Sequence, residues 1–202
     1  MNHAMIRDKI FHDLYLIPAA HTRDISCVEP EQLRELCAKL EEEFDYVLMD
    51  CPAGIEQGFK NAVAAAQEAI LVPTPEVSSI RAAARVIGLL EASELHRPKL
   101  IINRINPEMV RDGNMMDRRD IVDLLAVDVL GLVPVDDRTI TAANRGVPVV
   151  HDKKSAAGSA FLRIAARVDG DEVPLMEVEY KSSLMSRFKG LVGINGSAYS
   201  HA

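Results

Sequence analysis

Short apolar runs alternate with segments of helical periodicity along most of this chain. The runs are apolar throughout, which is typical of strands buried on both faces. A regular succession of strands and helices indicates βαβ units and a parallel sheet. The pattern therefore predicts an α/β fold, a mostly parallel sheet flanked by helices on both faces. The predicted strands are Leu14–Pro18, Tyr46–Met49, Ala69–Val72, Leu100–Ile102 and Val129–Val133, and the predicted helices are Pro30–Phe44, Phe59–Gln67, Ser79–Leu95, Asp117–Ala126, Arg138–Arg145 and Ser155–Val168, with Leu162 and Ile164 on the apolar stripe of the last.

Polar side chains follow most of the predicted strands at the point where each strand ends. In open α/β sheets, ligands bind beside the carboxyl ends of the strands. Any one of these residues could simply mark a strand end, but the whole set favours a ligand site at this edge. The set comprises Asp50, Thr74, Asn103, Arg104, Asp136 and Asp137.

The segment Asp50–Glu56, which reads D-C-P-A-G-I-E, directly follows the apolar run Tyr46–Met49. A carboxylate at the end of a buried strand can hold Mg²⁺ through a water molecule. A triphosphate needs more, namely the amides of a glycine-rich loop, a lysine and a hydroxyl. No G-x-x-x-x-G-K-[ST] segment occurs in the 202 residues. The sequence therefore predicts the greater part of a nucleotide-switch domain, incomplete at its N-terminus.

Composition excludes several other classes of function. The net charge of −7 opposes nucleic acid as a partner, because phosphate binding is driven by lysine and arginine. Cys27, Cys37 and Cys51 form no C-x-x-C pair, so neither a disulfide framework nor a zinc site is predicted. No stretch approaches the roughly 18 apolar residues of a membrane span. Residues 1–13 lack the apolar region of a signal peptide, so we expect a cytoplasmic protein.

The C-terminal segment Ser183–Ile194 has an apolar stripe with basic neighbours and no acidic residue. Such a helix can lie in the headgroup layer of an anionic membrane, although it could instead dock on the domain itself. Two copies in a dimer would bind far better than one. The expected organisation is a partial domain at 1–168, an acidic linker at 169–182, the amphipathic helix at 183–194 and a disordered end at 195–202. The predicted membrane-binding residues are Leu184, Met185, Arg187, Phe188, Lys189, Leu191 and Val192.

A combination of motifs extends from about Ile6 to Ile194. It includes D-C-P-A-G-I-E-Q-G at Asp50–Gly58, P-E-V-S-S-I-R at Pro75–Arg81, the pair Asn103-Arg104, A-N-R-G-V-P-V at Ala143–Val149, and the basic C-terminus. Together these segments resemble the ParA/MinD family of deviant-Walker P-loop ATPases, and within it the MinD branch of septum site-determining proteins. The resemblance implies a P-loop NTPase fold of the SIMIBI type.

The resemblance also implies an ATP-dependent cycle. The ATP-bound form would dimerise, insert its C-terminal helix into the inner face of the cell membrane, and recruit a MinC-like inhibitor of FtsZ assembly that blocks polar septation. MinE, or an adaptor in its place, would control where this happens. ATP and Mg²⁺ are the implied cofactors, and the implied location is cytoplasmic and peripheral on the inner membrane face.

The same resemblance assigns roles to individual residues. Asp50 would hold the Mg²⁺-bound water and sense the γ-phosphate. The switch loop would be formed by Pro52, Ala53 and Gly54, and the adenine base would be bound by Asn103, with Pro134 and Asp136 lining its pocket. The partner surface would include Ser79, Arg81 and Arg85.

Two departures from the family pattern affect these expectations. The family's N-terminal strand and its phosphate loop have no counterpart in the sequence, so we expect the chain alone to bind ATP feebly and to be poorly soluble or partly molten. Relatives also carry acidic residues at the positions of Ala82 and Ala84, which puts the usual partners in doubt.

Two other functions stay open. A non-catalytic, membrane-associated interaction protein would keep the tail and the switch surface but not hydrolysis. A ParA-type partitioning ATPase is less favoured, because it needs a basic surface for DNA.

Overall fold

The computed structural model describes residues 5–18, 29–51 and 54–175, which belong to two units. The first unit comprises Met1–Ile70 and Ala84–Pro98, and the second comprises Leu71–Ala83 and Lys99–Ala202. The strands are β1 (Ile6–Arg7), β2 (Tyr15–Leu16), β3 (Ile70–Leu71), β4 (Lys99–Ile105) and β5 (Val129–Pro134). The helices are α1 (Pro30–Glu41), α2 (Gln57–Ala65), α3 (Val77–Ala92), α4 (Pro107–Arg111), α5 (Arg118–Leu125), α6 (Asp137–Asn144) and α7 (Ala156–Val168), with a short 3-10 helix at Val149–His151.

A three-stranded sheet in the order β3-β4-β5 forms the centre of the second unit. Strands β4 and β5 are parallel, with Ile102 opposite Leu132 and Ile105 opposite Pro134. Side chains on both faces of β4 are buried, as expected for a strand with neighbours on each side. The largest fully buried side chains among the described residues are Leu100, Ile102, Ile105 and Ile121.

Helix α7 packs on β5 and closes one core cluster of the second unit. The two elements approach closely at Gly131, where a Cβ atom would come within 2.6 Å of Ile164 Cδ1. Only a residue without a side chain leaves space for the helix at this position. The cluster consists of Ile101, Leu130, Val133, Ala157, Ala160 and Ile164, with Phe161 and Val168 packed against it.

The first unit combines a small hairpin with packed helices. Strands β1 and β2 pair in antiparallel fashion, and the Tyr15 ring meets the Phe44 ring edge-on at 5.2 Å between centroids. Helices α1 and α2 are joined by Arg34 Nε, which donates to the carbonyl of Ala64 at 3.1 Å. Cys37 and Leu40 are the buried residues of α1.

The predicted α/β class and the parallel sheet flanked by helices are confirmed. The predicted strand Leu14–Pro18 is present in part as β2, but outside the parallel sheet, and the predicted strand Tyr46–Met49 is wrong. Tyr15–Leu16 belongs to an exposed antiparallel hairpin, because its neighbour in the chain offers the nearest pairing edge. The run Tyr46–Met49 forms no strand, and Leu48 is 83% exposed. Apolar character favours burial, but a strand also needs an adjacent strand to pair its backbone groups. The run belongs to neither of the two sheets found in the described residues.

Smaller differences concern the helices. Leu162, predicted on the apolar stripe of α7, is 56% exposed, because the stripe runs through Ala157, Ala160 and Ile164 instead. Helix α4 was missed, although Asn106 and Pro107 are a usual helix start and the Asn106 carboxamide caps it. None of the described helices has both the length and the apolar character needed to cross a membrane.

Candidate functional site

Three polar strand ends of the second unit lie on one edge of its sheet. The Asn103 amide, in β4, donates to the Pro73 carbonyl at 2.9 Å, just before Thr74. On the other side of β4, the Val135 amide donates to the Ile105 carbonyl at 3.0 Å. The predicted clustering of polar residues at the carboxyl edge is therefore present for the runs that end at Thr74, Asn103 and Asp136.

The end of β4 is irregular at Asn103 and Arg104. The pairing with β5 shifts between Ile102 and Ile105, and Arg104 has a φ of 58°, a left-handed conformation that is costly for a residue with a side chain. Asn103 is partly buried and Arg104 is exposed. Within the described residues, no side-chain hydrogen bond uses the Asn103 carboxamide, so both its donor and its acceptor are available to a ligand such as a purine base.

The Asp136 carboxylate, in contrast, is engaged inside the protein. One oxygen accepts a hydrogen bond from the Arg138 amide at 2.9 Å and caps α6. The other accepts from Ser155 Oγ at 2.6 Å and from the Ala157 amide at 3.2 Å, at the start of α7. Burial alone would raise the pKa of Asp136, but these hydrogen bonds outweigh it and lower the pKa. The role of Asp136 at the base pocket stays a prediction. Pro134, predicted to line the same pocket, is partly buried.

An ion pair joins the start of α6 to the loop before α7. Arg138 Nη1 lies 2.6 Å from Asp152 Oδ2, and the Lys154 amide donates to the other carboxylate oxygen at 2.9 Å. The amide of Lys154 and then Arg138 lower the pKa of Asp152. Sequence reasoning missed this network. Its one local signal is that Asp136 and Ser155 each precede a helix, as capping residues do.

In the first unit, Asp50 is exposed at the end of the run Tyr46–Met49. Exposure alternates along this run: Val47 and Met49 are partly buried, whereas Tyr46, Leu48 and Asp50 are exposed. Gly54 has a φ of 106°, which a residue with a side chain rarely adopts, so the loop after Asp50 needs glycine there. Pro52 and Ala53 lie outside the described residues.

The predicted partner surface lies at the start of α3. Ser79 Oγ accepts a hydrogen bond from the Thr74 amide at 3.0 Å and is partly buried, so its hydroxyl fastens the loop between β3 and α3. Arg81 and Arg85 are exposed on successive turns. The predicted membrane-binding residues all lie outside the described residues: Leu184, Met185, Arg187, Phe188, Lys189, Leu191 and Val192.

Comparison with known proteins identifies the chain's relatives. The family model described as cellulose biosynthesis protein BcsQ matches residues 15–132. The septum site-determining protein MinD of Bacillus subtilis is 46% identical over 197 residues, which cover 96% of this chain and 74% of the relative. The chain belongs to the MinD family. The predicted resemblance to that family, within the ParA/MinD class, is therefore confirmed.

Two solved MinD structures share the fold. The MinC:MinD cell division protein complex of Aquifex aeolicus matches with a TM-score of 0.80 and 39% identity, covering 87% of this chain and 70% of that chain. MinD complexed with Mg-ADP from Pyrococcus horikoshii matches with a TM-score of 0.72 and 27% identity, covering 84% and 68%. The P-loop NTPase architecture predicted for the chain is that of these MinD structures.

Proposed function

We propose that this protein acts in the selection of the cell-division site, as a peripheral protein of the inner membrane face that recruits an inhibitor of FtsZ assembly and so blocks polar septation. The observation that carries the proposal is the 46% identity to the Bacillus subtilis septum site-determining protein along 96% of the chain. The match to a MinD chain solved with MinC supports a MinC-like inhibitor as the partner. MinE, or an adaptor in its place, would set the position.

ATP with Mg²⁺ is the cofactor that the family implies, and the Mg-ADP complex of the Pyrococcus horikoshii relative supports it. Two side chains fit such a ligand. Asp50, in the first unit, presents an exposed carboxylate of the kind that holds Mg²⁺ through water. Asn103, in the second unit, presents a carboxamide that suits adenine and that makes no side-chain hydrogen bond within the described residues. Bound Mg²⁺ would neutralise charge on the phosphates during hydrolysis. The switch loop Pro52–Gly54 would follow the state of the nucleotide at Asp50.

Dimerisation would couple the nucleotide to the membrane. One amphipathic tail buries few apolar side chains and binds weakly, whereas two tails in one dimer bind through their effective concentration. The basic residues Arg187 and Lys189 would favour anionic headgroups, each by about 1 kcal/mol. Location at the inner face of the cell membrane follows from this arrangement.

Partner binding would use the exposed face at the start of α3. Arg81 and Arg85 each present an exposed positive charge, and Ser79 fixes the start of the helix. This surface favours a partner with acidic residues at the matching positions, because unlike charges raise the rate of association and fix the docking register.

The test is co-sedimentation of the full chain with phospholipid vesicles. We expect the chain to sediment with anionic vesicles and to stay in solution with zwitterionic ones. Arg187→Glu with Lys189→Glu should weaken binding by at least about tenfold. The control, Lys153→Glu with Lys154→Glu, makes the same change of charge at exposed residues of the second unit and should bind as wild type.

Adding Mg-ATP, Mg-ADP and the MinC-like inhibitor of the same organism completes the experiment. Because the 202 residues contain no phosphate-loop segment and ATP binding is expected to be weak, the nucleotides are added at high concentration. We expect Mg-ATP then to increase sedimentation of the chain and inhibitor together, and Asp50→Ala to abolish that increase. Binding to anionic vesicles without any nucleotide effect would instead favour the non-catalytic interaction protein. Equal sedimentation of wild type and the tail variant would contradict the proposal.

A further inference from the structure

Helix α7 of the second unit is held against β5 at its start and along its middle. At its start, the Asp136 carboxylate binds Ser155 Oγ and the Ala157 amide. Along its middle, Gly131 lets Ile164 approach the backbone of β5. These contacts restrict movement of α7 relative to the strand, because close-packed interiors deform little.

At the end of α7, the Arg167 guanidinium donates hydrogen bonds to three backbone carbonyls. Nη1 reaches Leu130 O of β5 at 2.7 Å, Nε reaches Val173 O at 2.7 Å, and Nη2 reaches Pro174 O at 2.5 Å. Burial lowers the pKa of Arg167, and the nearby charge of Arg163 adds to the effect. An arginine nevertheless stays charged at neutral pH, and charge-assisted hydrogen bonds are the stronger kind.

The carbonyls of Val173 and Pro174 lie where the chain leaves α7 and continues toward residues 183–194. A tight turn brings them back to the helix: Gly170 has a φ of 98°, and the Asp171 amide donates to the Ala166 carbonyl at 2.9 Å. The Val173 amide donates in turn to the Asp171 carbonyl at 2.9 Å. One side chain therefore joins a strand of the sheet to the first residues of the segment that leads to the tail.

We propose that Arg167 is a positioning residue that fixes the root of the C-terminal tail, Val173–Pro174, to strand β5. The planar guanidinium presents donors on three separate nitrogen atoms in a fixed fork, whereas lysine presents all its donors from one ammonium nitrogen. We call the hydrogen bonds from Arg167 to Leu130, Val173 and Pro174 the clamp. Only its expected effect on membrane binding rests on the proposed function. Without the clamp, the number of residues between the last fixed contact and Ser183 roughly doubles, and the tail is tethered less closely to the second unit.

Hydrogen exchange of the full chain tests the clamp. The variants are Arg167→Ala, Arg167→Lys and a matched control, Arg163→Ala. Arg163 is exposed on the preceding turn of α7, and its replacement makes the same change of net charge as Arg167→Ala. We expect the amides of Asp171 and Val173 to exchange at least about tenfold faster in both Arg167 variants. In the Arg167 variants, the amide exchange rates of β5 and of the first turns of α7 should match those of the wild type. In Arg163→Ala, the exchange rates of all amides should match those of the wild type.

Wild-type exchange at Asp171 and Val173 in Arg167→Ala would overturn the proposal. Full protection in Arg167→Lys would overturn the requirement for the guanidinium fork. If Arg167→Ala does not fold, Arg167→Lys carries the same prediction, because it keeps the charge and the aliphatic stem.

A second arm measures co-sedimentation with vesicles of anionic phospholipid. We expect Arg167→Ala to bind about two- to threefold more weakly than Arg163→Ala, because a longer tether lowers the effective concentration of the second tail of a dimer. Equal binding of the two variants would contradict this consequence. Absence of binding by the wild-type chain would overturn the proposed function, while the exchange rates would still decide whether the clamp exists.

Discussion

The two units contain apolar runs of the same kind and place them in different surroundings. In the second unit, Leu100 and Ile102 of β4 are 0% exposed, and the apolar run is followed within the strand by Asn103. In the first unit, Leu48 is 83% and Tyr46 is 53% exposed, and the run ends at the carboxylate of Asp50. Strand β4 lies between β3 and β5, whereas residues 46–50 belong to no strand. Burial therefore depends on adjacent strands as much as on the apolar residues themselves.

The run in the first unit nevertheless has one packed side. Cys37 Sγ of α1 lies 3.8 Å from Met49 Sδ, and Val47 is partly buried. The other side presents Tyr46 and Leu48 to solvent in alternating positions, as a strand covered on one face would. The side chains of similar apolar runs are therefore buried on both faces in the second unit and partly buried on one face in the first.

The largest effect on the free energy of unfolding is expected from a matched pair of truncations. Ile102→Ala removes a fully buried side chain from β4 and should lower the free energy of unfolding by about 2–5 kcal/mol. Leu48→Ala removes an exposed one and should change it by no more than about 0.5 kcal/mol. Urea unfolding of the wild type and both variants measures these two changes in the free energy of unfolding. Similar losses in the two variants would show that the run at 46–50 is buried after all.

A second pair introduces one methyl group in each unit. Gly131→Ala places a Cβ within 2.6 Å of Ile164 Cδ1 and should cost about 1–3 kcal/mol through overpacking. Gly88→Ala, on the exposed side of α3, has no atom within 4 Å and should stabilise by up to about 1 kcal/mol, since alanine favours helix. Melting temperatures should therefore move in opposite directions. A shared direction would contradict the close contact of α7 and β5.

A smaller effect is expected at the start of α7. Ser155→Ala removes a helix cap and a hydrogen bond to Asp136, and should cost about 1 kcal/mol. Ser159→Ala, at an exposed position of the same helix, is the control and should be nearly neutral. Thermal unfolding monitored by circular dichroism measures both. Unchanged thermal stability of Ser155→Ala would mean that the hydrogen bond from Ser155 to Asp136 does not stabilise the second unit.

The smallest and most gradual effect is the expected loss of thermal stability at acidic pH. The folded protein lowers the pKa of Asp136 and of Asp152, so both carboxylates stabilise the second unit above the pH at which free aspartate titrates, about 3.9. That contribution is lost as the pH falls further, through their folded pKa values. We expect the melting temperature to fall below about pH 4, and Asp136→Asn to reduce the slope of that fall. An unchanged slope would contradict the lowered pKa of Asp136.

Most elements of the second unit, with α4 as an exception, followed from local sequence signals. Strand β5 is apolar throughout, and α5 and α7 begin after the capping residues Asp117 and Ser155, so their type and bounds were predicted to within a few residues. Strand β4 was predicted in part, because the polar Asn103 and Arg104 hid its continuation to Ile105.

The rest depends on contacts between distant residues. The Asp136–Ser155 and Arg167–Leu130 hydrogen bonds join positions 19 and 37 residues apart, and neither leaves a local pattern. The exposure of Leu48 was unpredictable for the same reason, since a run of apolar residues does not specify which strands lie beside it. Asn103 and Asp50 were singled out from the sequence because each follows an apolar run, and their binding roles stay predictions.

Hydrogen exchange along the full wild-type chain tests the contrast between the two units most directly. We predict that the amides of Leu48 to Asp50 exchange at least about a hundredfold faster than those of Ile101 and Ile102, because only the latter belong to a paired, buried strand. Equal, cooperative protection of both segments would contradict the contrast, and would mean that the run before Asp50 is as firmly paired as β4.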